Sequence, residues 1–303
     1  MSAPTIYIAG HTGLIGSAAL RRFSTNEKYR VLTATHRDLD LRDADAVKSF
    51  FDSHMPDYVI LAAGKVGGIF ENTKYPADFI TADLAIQLNV LAAAHQVGVE
   101  RLLFFASSCM YPRECPQPMN EDRLFSGVPE PTSMAYAISK MAGMQLCLAY
   151  NRQYGSNRFI PLIPNSVYGP NDNFDPDQGH VLSSLIWRLH DAKARKADKV
   201  MLWGTGAPRR EFLHADDLAQ ACDMLLESDA SKLELLPLNI GSGYDLSVRD
   251  LAELVADVVD YRGYIAWDVN RPDGAPRKLL DSGRIHATGW RARVELRAGL
   301  IDT

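Results

Sequence analysis

Two groups of residues in this chain have the types and spacing to do chemistry. Gly10, Gly13 and Gly16 follow the first apolar run, and about 120 residues on, Tyr136-Ala-Ile-Ser-Lys140 lies downstream of Ser107. Glycines so spaced let the backbone turn sharply and approach a pyrophosphate, while the next helix offers free N–H groups to the phosphates. The candidate dinucleotide cradle is therefore Gly10, Thr12, Gly13, Leu14, Ile15 and Gly16. Tyr136 and Lys140 stand four residues apart on a predicted helix and so project from one face. A phenol, with a reference pKa of about 10, is a weak acid–base group at neutral pH, and a nearby ammonium favours the phenolate at about 1.4 kcal/mol per pKa unit. Lys140 is expected to tune Tyr136 this way and to reach a cofactor ribose. Ser107, at the C-terminal end of a predicted strand, falls in the crevice where open α/β sheets bind ligands and can hydrogen-bond a substrate oxygen. Together they form a Ser–Tyr–Lys set suited to hydride transfer.

The second predicted strand, Arg30 to Thr35, leads into His36-Arg37 before the first acid, Asp38. A carboxylate there suits the ribose 2′-hydroxyl of NAD, whereas a cation suits a 2′-phosphate. The cofactor expected is NADP(H), held by His36 and Arg37, with Ala62 and Ala63 at the end of the third strand completing its site.

The elements that must position these groups alternate. Strands are predicted near 5–9, 30–35, 57–62, 101–106 and 158–163, with helices near 14–24, 43–54, 76–97 and 134–153. Strands joined by helix-length connections run parallel with right-handed crossovers. The fold class is α/β, a doubly wound parallel Rossmann sheet with a smaller C-terminal substrate-binding domain. Residues 1–165 form the dinucleotide domain, with a segment returning to it near 212–236, and 166–303 are mainly the substrate domain. Beyond Pro164 the loops grow rich in Pro, Gly, Asn and Asp, as in a region that closes over a ligand. The chain stops soon after Gly299-Leu-Ile-Asp302 with no clear final cap, as though a terminal helix were missing.

Composition limits the partners. The 303 residues are 47% apolar, with a net charge of −5 spread along the chain, so neither a nucleic acid nor a membrane is an expected partner. Cys109, Cys115, Cys147 and Cys222 lack the CxxC spacing of a metal or dithiol site, no leader-like segment opens the chain, and the expected setting is a reducing cytoplasm with no metal.

Longer motifs carry a resemblance. Ala9-Gly-His-Thr-Gly-Leu-Ile-Gly16, Lys65-Val-Gly-Gly68, Tyr75-Pro-Ala-Asp-Phe79, Ser107-Ser-Cys-Met-Tyr-Pro112, Tyr136-Ala-Ile-Ser-Lys140, Arg210-Glu-Phe-Leu-His-Ala-Asp-Asp217 and Pro272-Asp-Gly-Ala-Pro-Arg-Lys-Leu-Leu280 resemble, essentially end to end, an extended short-chain dehydrogenase/reductase. Within that group they are most similar to the GDP-4-keto-6-deoxymannose epimerase/reductases, the GDP-L-fucose synthases. The resemblance implies inversion of C3 and C5 of a 4-keto sugar followed by NADPH reduction of the ketone, in a homodimer paired through the helices near 76–97 and 134–153. It gives Cys109 and His180 the acid–base roles and places His180 beside the cofactor as well. It assigns Ser108, Asn165, Arg188, Trp203, Arg210 and Lys278 to the GDP-sugar. Where the family reads Pro-Thr-Asn this chain reads Pro164-Asn165-Ser166, which leaves open a reductase of a dideoxy or heptose sugar. A non-catalytic dinucleotide sensor is the reading from a different class.

Overall fold

The apolar run that opens the chain forms β1 (Thr5–Ala9), whose side chains alternate between two cores: Tyr7 and Ala9 on one face of the sheet, Ile6 and Ile8 on the other. The computed structural model describes residues 3–176, 178–228, 236–271 and 273–303. After β1 come α1 (Leu14–Ser24), β2 (Arg30–Leu32), α2 (Ala44–His54), β3 (Tyr58–Leu61), α3 (Ile69–Lys74), α4 (Pro76–Val97), β4 (Arg101–Phe105), α5 (Met134–Tyr154) and β5 (Phe159–Pro164). The second half adds β6 (Val167–Tyr168), α6 (Val181–Ala194), β7 (Lys199–Trp203), β8 (Arg209–Glu211), β9 (Leu213–His214) and α7 (Ala215–Glu227). It ends with β10 (Leu238–Ile240), β11 (Asp245–Ser247), α8 (Val248–Val259), β12 (Tyr264–Asp268), β13 (Arg277–Lys278), α9 (Gly283–Ala287) and α10 (Leu296–Asp302).

Six described strands pair in parallel in the order β2-β1-β3-β4-β5-β10. The order reverses between β1 and β3, which puts the crevice of a doubly wound sheet at their C-terminal ends. Helices α2, α4 and α5 cover one face and α1 and α7 the other, burying Phe51 and Leu91 on the first side and Phe23 and Leu225 on the second. The sheet is completed from far away in the chain. α7 packs on α1, and β10 pairs with β5 in the register Leu238↔Leu162. The sixth strand lies just past the 212–236 stretch, whose residues 229–235 fall outside the described set. Buried Arg101 fastens the returning segment to β4 by donating to the carbonyl oxygens at the end of α7, Ser228 among them at 2.8 Å.

The remaining strands make small sheets, β8 with β11 and β13, β7 with β12, and β6 with β9, beside a core of Leu185, Leu189, Leu251 and Val255. Two local features differ from the sequence expectation. β2 ends at Leu32 rather than Thr35, because Ile8 and Ala9 pair only with β3, and α3 stands where no element was expected. By length and composition α4, with a mean hydropathy of 1.3, could cross a bilayer. Its place between α2 and α5, with Phe79, Val90 and Leu91 in the core, accounts for that apolar character.

Candidate active site

The glycine turn sits at the crevice. Gly10 has φ +83°, which favours glycine, and a Cβ there would meet the Ala63 backbone nitrogen at 2.7 Å. A Cβ on Gly16 would lie 2.0 Å from the Gly10 carbonyl oxygen, so α1 can approach β1 this closely only with glycine. The Gly13 N–H donates to the Gly10 carbonyl at 3.1 Å, and Gly13 caps α1 without a side-chain hydrogen bond. The first turn of α1 carries no acid, so its N–H groups are open to an anion. These are the features a dinucleotide pyrophosphate fits, with Thr12 exposed and Leu14 and Ile15 half-buried at the rim. At the end of β2, His36 and Arg37 are exposed. Asp38 is occupied by the Thr35 hydroxyl at 2.5 Å, a bond that holds its carboxyl below the usual range. Arg37 has no ion-pair partner among the described residues, so its guanidinium is open to an anion, while the adjacent His36 ring lies 3.9 Å from Asp40.

The three expected catalytic side chains come together. Ser107, at the end of β4, stands close enough to the Tyr136 phenol to influence it and accepts the Cys109 N–H at 3.2 Å. The Lys140 ammonium, one turn from Tyr136 on α5, lies 5.6 Å from the centre of its ring and donates to the Phe105 carbonyl at 3.2 Å. The tuning differs from the sequence expectation. Burial, with Cys109 and Asp83 nearby, pushes the Tyr136 phenol above its ordinary range, the neighbouring Ser107 hydroxyl opposing this, and burial pulls the Lys140 amine down against Asp83. The Lys140 ammonium bonds a backbone carbonyl rather than the phenol oxygen, and Asp83 acts on both groups at longer range, so Tyr136 stays in the protonated form that can donate.

A second cluster adjoins the first. The Lys278 ammonium on β13 lies 4.0 Å from the Cys109 sulfur. Arg210 on β8 lies near Asp273 and Cys109, and burial lowers its pKa. The Ser108 hydroxyl donates to Asn165 at 2.9 Å, and the Asn165 amide donates to Glu211 and to the Lys278 carbonyl at 3.0 and 3.2 Å. Asn165 is thus the strut between the Ser108–Cys109 turn and the strand that carries Lys278. Trp203 is exposed between two guanidinium groups, Arg188 at 5.9 Å and Arg271 at 4.8 Å from the ring centre. Arg188 also donates to the Pro176 carbonyl at 2.8 Å. His180 is not gathered in to the same degree. It is exposed at the start of α6, and its ring makes no hydrogen bond or ion pair among the described residues. The loop before it touches the crevice, where the Gly68 N–H donates to the Gln178 carbonyl at 3.2 Å.

Sequence reasoning missed Asp83, Glu211 and Arg271. An acid within an apolar helix and an arginine in a polar loop carry no spacing signal, and only the fold places them. Of the Pro272–Leu280 motif, Pro272 lies outside the described residues.

Residues 6–241 match the family model described as "NAD dependent epimerase/dehydratase family". The chain belongs to this epimerase/dehydratase family. Similar members include GDP-L-fucose synthase 1 of Arabidopsis thaliana, 49% identical over 298 residues that cover 98% of this chain and 91% of that protein. GDP-L-fucose synthase of Escherichia coli strain K12 is 45% identical and covers 100% of this chain and 96% of its own. Among solved structures of the same fold, MlghC, a GDP-mannoheptose C4 reductase from Campylobacter jejuni with NADP bound, is 34% identical with a TM-score of 0.90, covering 99% of this chain and 97% of that one. The family match spans β1 through β10 of the parallel sheet, with the glycine turn inside it.

Proposed function

We propose that this chain is an NADPH-dependent 3,5-epimerase and 4-reductase that converts GDP-4-keto-6-deoxy-D-mannose to GDP-L-fucose. The observation that carries the reading is the meeting of two proton-handling clusters in one cleft: Ser107–Tyr136–Lys140, and Cys109 with Lys278 4.0 Å away. A plain reductase needs only the first. Inverting centres on both sides of a ketone requires groups that remove and return α-protons, and a half-exposed thiol beside an ammonium is such a group.

The bound cofactor would supply hydride to C4. Gly10, Gly13 and Gly16 would seat its pyrophosphate at the α1 N-terminus, Ala62 and Ala63 would line its path, and Arg37 with His36 would face a 2′-phosphate. Ser107 and Tyr136 would hold the C4 oxygen, so that negative charge arising there on enolisation meets two hydroxyl donors. Cys109 and His180 would exchange protons at C3 and C5, and Tyr136 would then give its proton to the alkoxide. Ser108 and Asn165 would position the sugar, while Arg188, Trp203, Arg210 and Lys278 would hold the nucleotide diphosphate. Forked guanidinium groups suit phosphate, and an indole face suits a base.

The reading extends to a homodimer. Helices α4 and α5 expose an apolar groove lined by Leu84, Leu88, Ala142, Leu146 and Ala149. The Gln87 amide beneath that groove is buried inside the protomer and has no hydrogen-bond partner among the described residues, so it is the exposed leucines that a second copy's helices would cover.

The test is incubation with NADPH and GDP-4-keto-6-deoxymannose in deuterated water, with the product read by mass and NMR. NADPH oxidation with deuterium at C3 and C5 of GDP-fucose is the expected result. Oxidation without exchange would mark a C4 reductase of another GDP-sugar, as the name of the heptose reductase suggests, and no oxidation with any GDP-keto sugar would overturn the enzyme reading.

A further inference from the structure

The mechanism above gives no task to the buried acid beside its lysine. Asp83 on α4 is 1% exposed and, through its two carboxylate oxygens, joins three elements. Oδ1 accepts the Lys65 N–H of the loop after β3 at 2.7 Å, and Oδ2 accepts the Ser139 hydroxyl of α5 at 3.2 Å. The third connection is electrostatic. A Cβ built on Gly64 would lie 3.2 Å from Asp83 Oδ1 and 3.3 Å from the Lys140 amine, so the two charged groups face each other across that glycine.

Lys140 needs such a counter-charge. It is 5% exposed, its one hydrogen bond among the described residues is to the Phe105 carbonyl, and the Phe104 ring lies 5.5 Å from its nitrogen. Moving an ammonium into such surroundings favours the neutral amine, and a neighbouring anion is what opposes this. The titratable groups around it are few. Asp83 faces it from α4 and Tyr136 from its own helix, with Cys109 beyond the phenol. The Lys65 side chain turns away, over the Phe79 ring at 5.4 Å.

We infer that Asp83 is a positioning residue whose buried carboxylate keeps Lys140 an ammonium and aims it at the crevice. This rests on the proposed role of Lys140 for its bearing on catalysis, though not for its test. The same negative charge favours the protonated phenol of Tyr136, so one carboxylate would hold both groups in the forms that hydride transfer requires, a charged lysine and a tyrosine with a proton to give.

The test follows the Lys140 charge directly. Protein labelled with ¹³C-lysine is titrated by NMR, with Lys140→Arg serving to identify the resonance. Asp83→Asn keeps an acceptor for the Lys65 N–H but removes the charge, and should lower the Lys140 midpoint by about one pH unit or more. Asp83→Glu keeps the charge and should stay within a few tenths of wild type. Asp83→Ser gives the same charge-free comparison should the amide variant fail to fold. An unchanged midpoint in the charge-free variants, or an equal fall in Asp83→Glu, overturns the inference. In the pH profile of kcat for NADPH oxidation, the alkaline limb should move to lower pH in Asp83→Asn, because activity is lost as Lys140 loses its proton. A wild type that oxidises no NADPH would sink the functional reading and leave the NMR result to decide this one.

Discussion

At the scale of single residues, the site works by surroundings rather than by residue type alone. Tyr136 carries its proton because burial disfavours its phenolate and the Asp83 carboxylate lies nearby. Tyr136→Phe should therefore lower NADPH turnover by a factor of about 10² to 10⁴ while NADPH affinity, measured by fluorescence titration, stays within a few-fold. Retained turnover would remove Tyr136 from the proton step. A pH signature accompanies this. The Tyr136 phenol lies above its ordinary range, so at a pH of about 10, where a free phenol is half ionised, the difference in phenolate absorbance between wild type and Tyr136→Phe should be near zero. Tyr136, Lys140 and Ser107 were legible in the sequence because the order and spacing of three chemically distinctive residues is informative. The direction of their tuning was not, since it depends on Asp83, a residue 53 positions before Tyr136 whose place is set by helix packing.

At the scale of elements, the approach of α1 to β1 decides whether a cofactor can be seated. Gly16→Ala would put a methyl group 2.0 Å from the Gly10 carbonyl oxygen, so the turn must shift. A loss of about 1–3 kcal/mol in stability is expected from such overpacking, together with loss of the melting-temperature rise that NADPH gives the wild type. A variant that melts and responds like wild type would show that the turn has slack. Glu211, on β8, gives an element-scale pH effect. It is fully buried and accepts N–H groups from Gly243 at 2.7 Å and from Leu280 and Asn165 at 3.0 Å, yet burial still raises its pKa. The folded chain thus holds this proton to a higher pH than the unfolded chain does. The stability tied to it is fully present below the unfolded pKa of about 4.5 and is lost as pH rises through the folded value. Thermal melts of wild type across that window should slope downward more steeply than those of Glu211→Gln. Equal slopes would show that Glu211 does not titrate there. The helices and strands of the first half were legible from periodicity and length. The two- and three-residue strands β6, β8, β9, β11 and β13 were not, because pairs so short are held by tertiary contacts rather than by any local pattern.

At the scale of the whole molecule, the apolar face of α4 and α5 bears on assembly. Leu88 is 53% exposed there, and Leu88→Arg should convert a dimer to a monomer by light scattering while the far-UV spectrum stays the same. An identical mass for both proteins would place any interface elsewhere. The parallel sheet itself was legible from the alternation of elements, but its last strand was not, since Leu238 to Ile240 is too short to stand out and reaches β5 across a long stretch of chain. That closing strand has a consequence for how the protein is made. A chain emerging from the ribosome has β5 in hand by residue 164, yet the edge against which β10 pairs stays uncovered until residue 240 has followed. For those roughly 75 residues of synthesis the nascent sheet ends in an open strand, the kind of edge that recruits other chains. A gene truncated at the apparent domain boundary near 165 should accordingly yield aggregate rather than a free-standing dinucleotide domain.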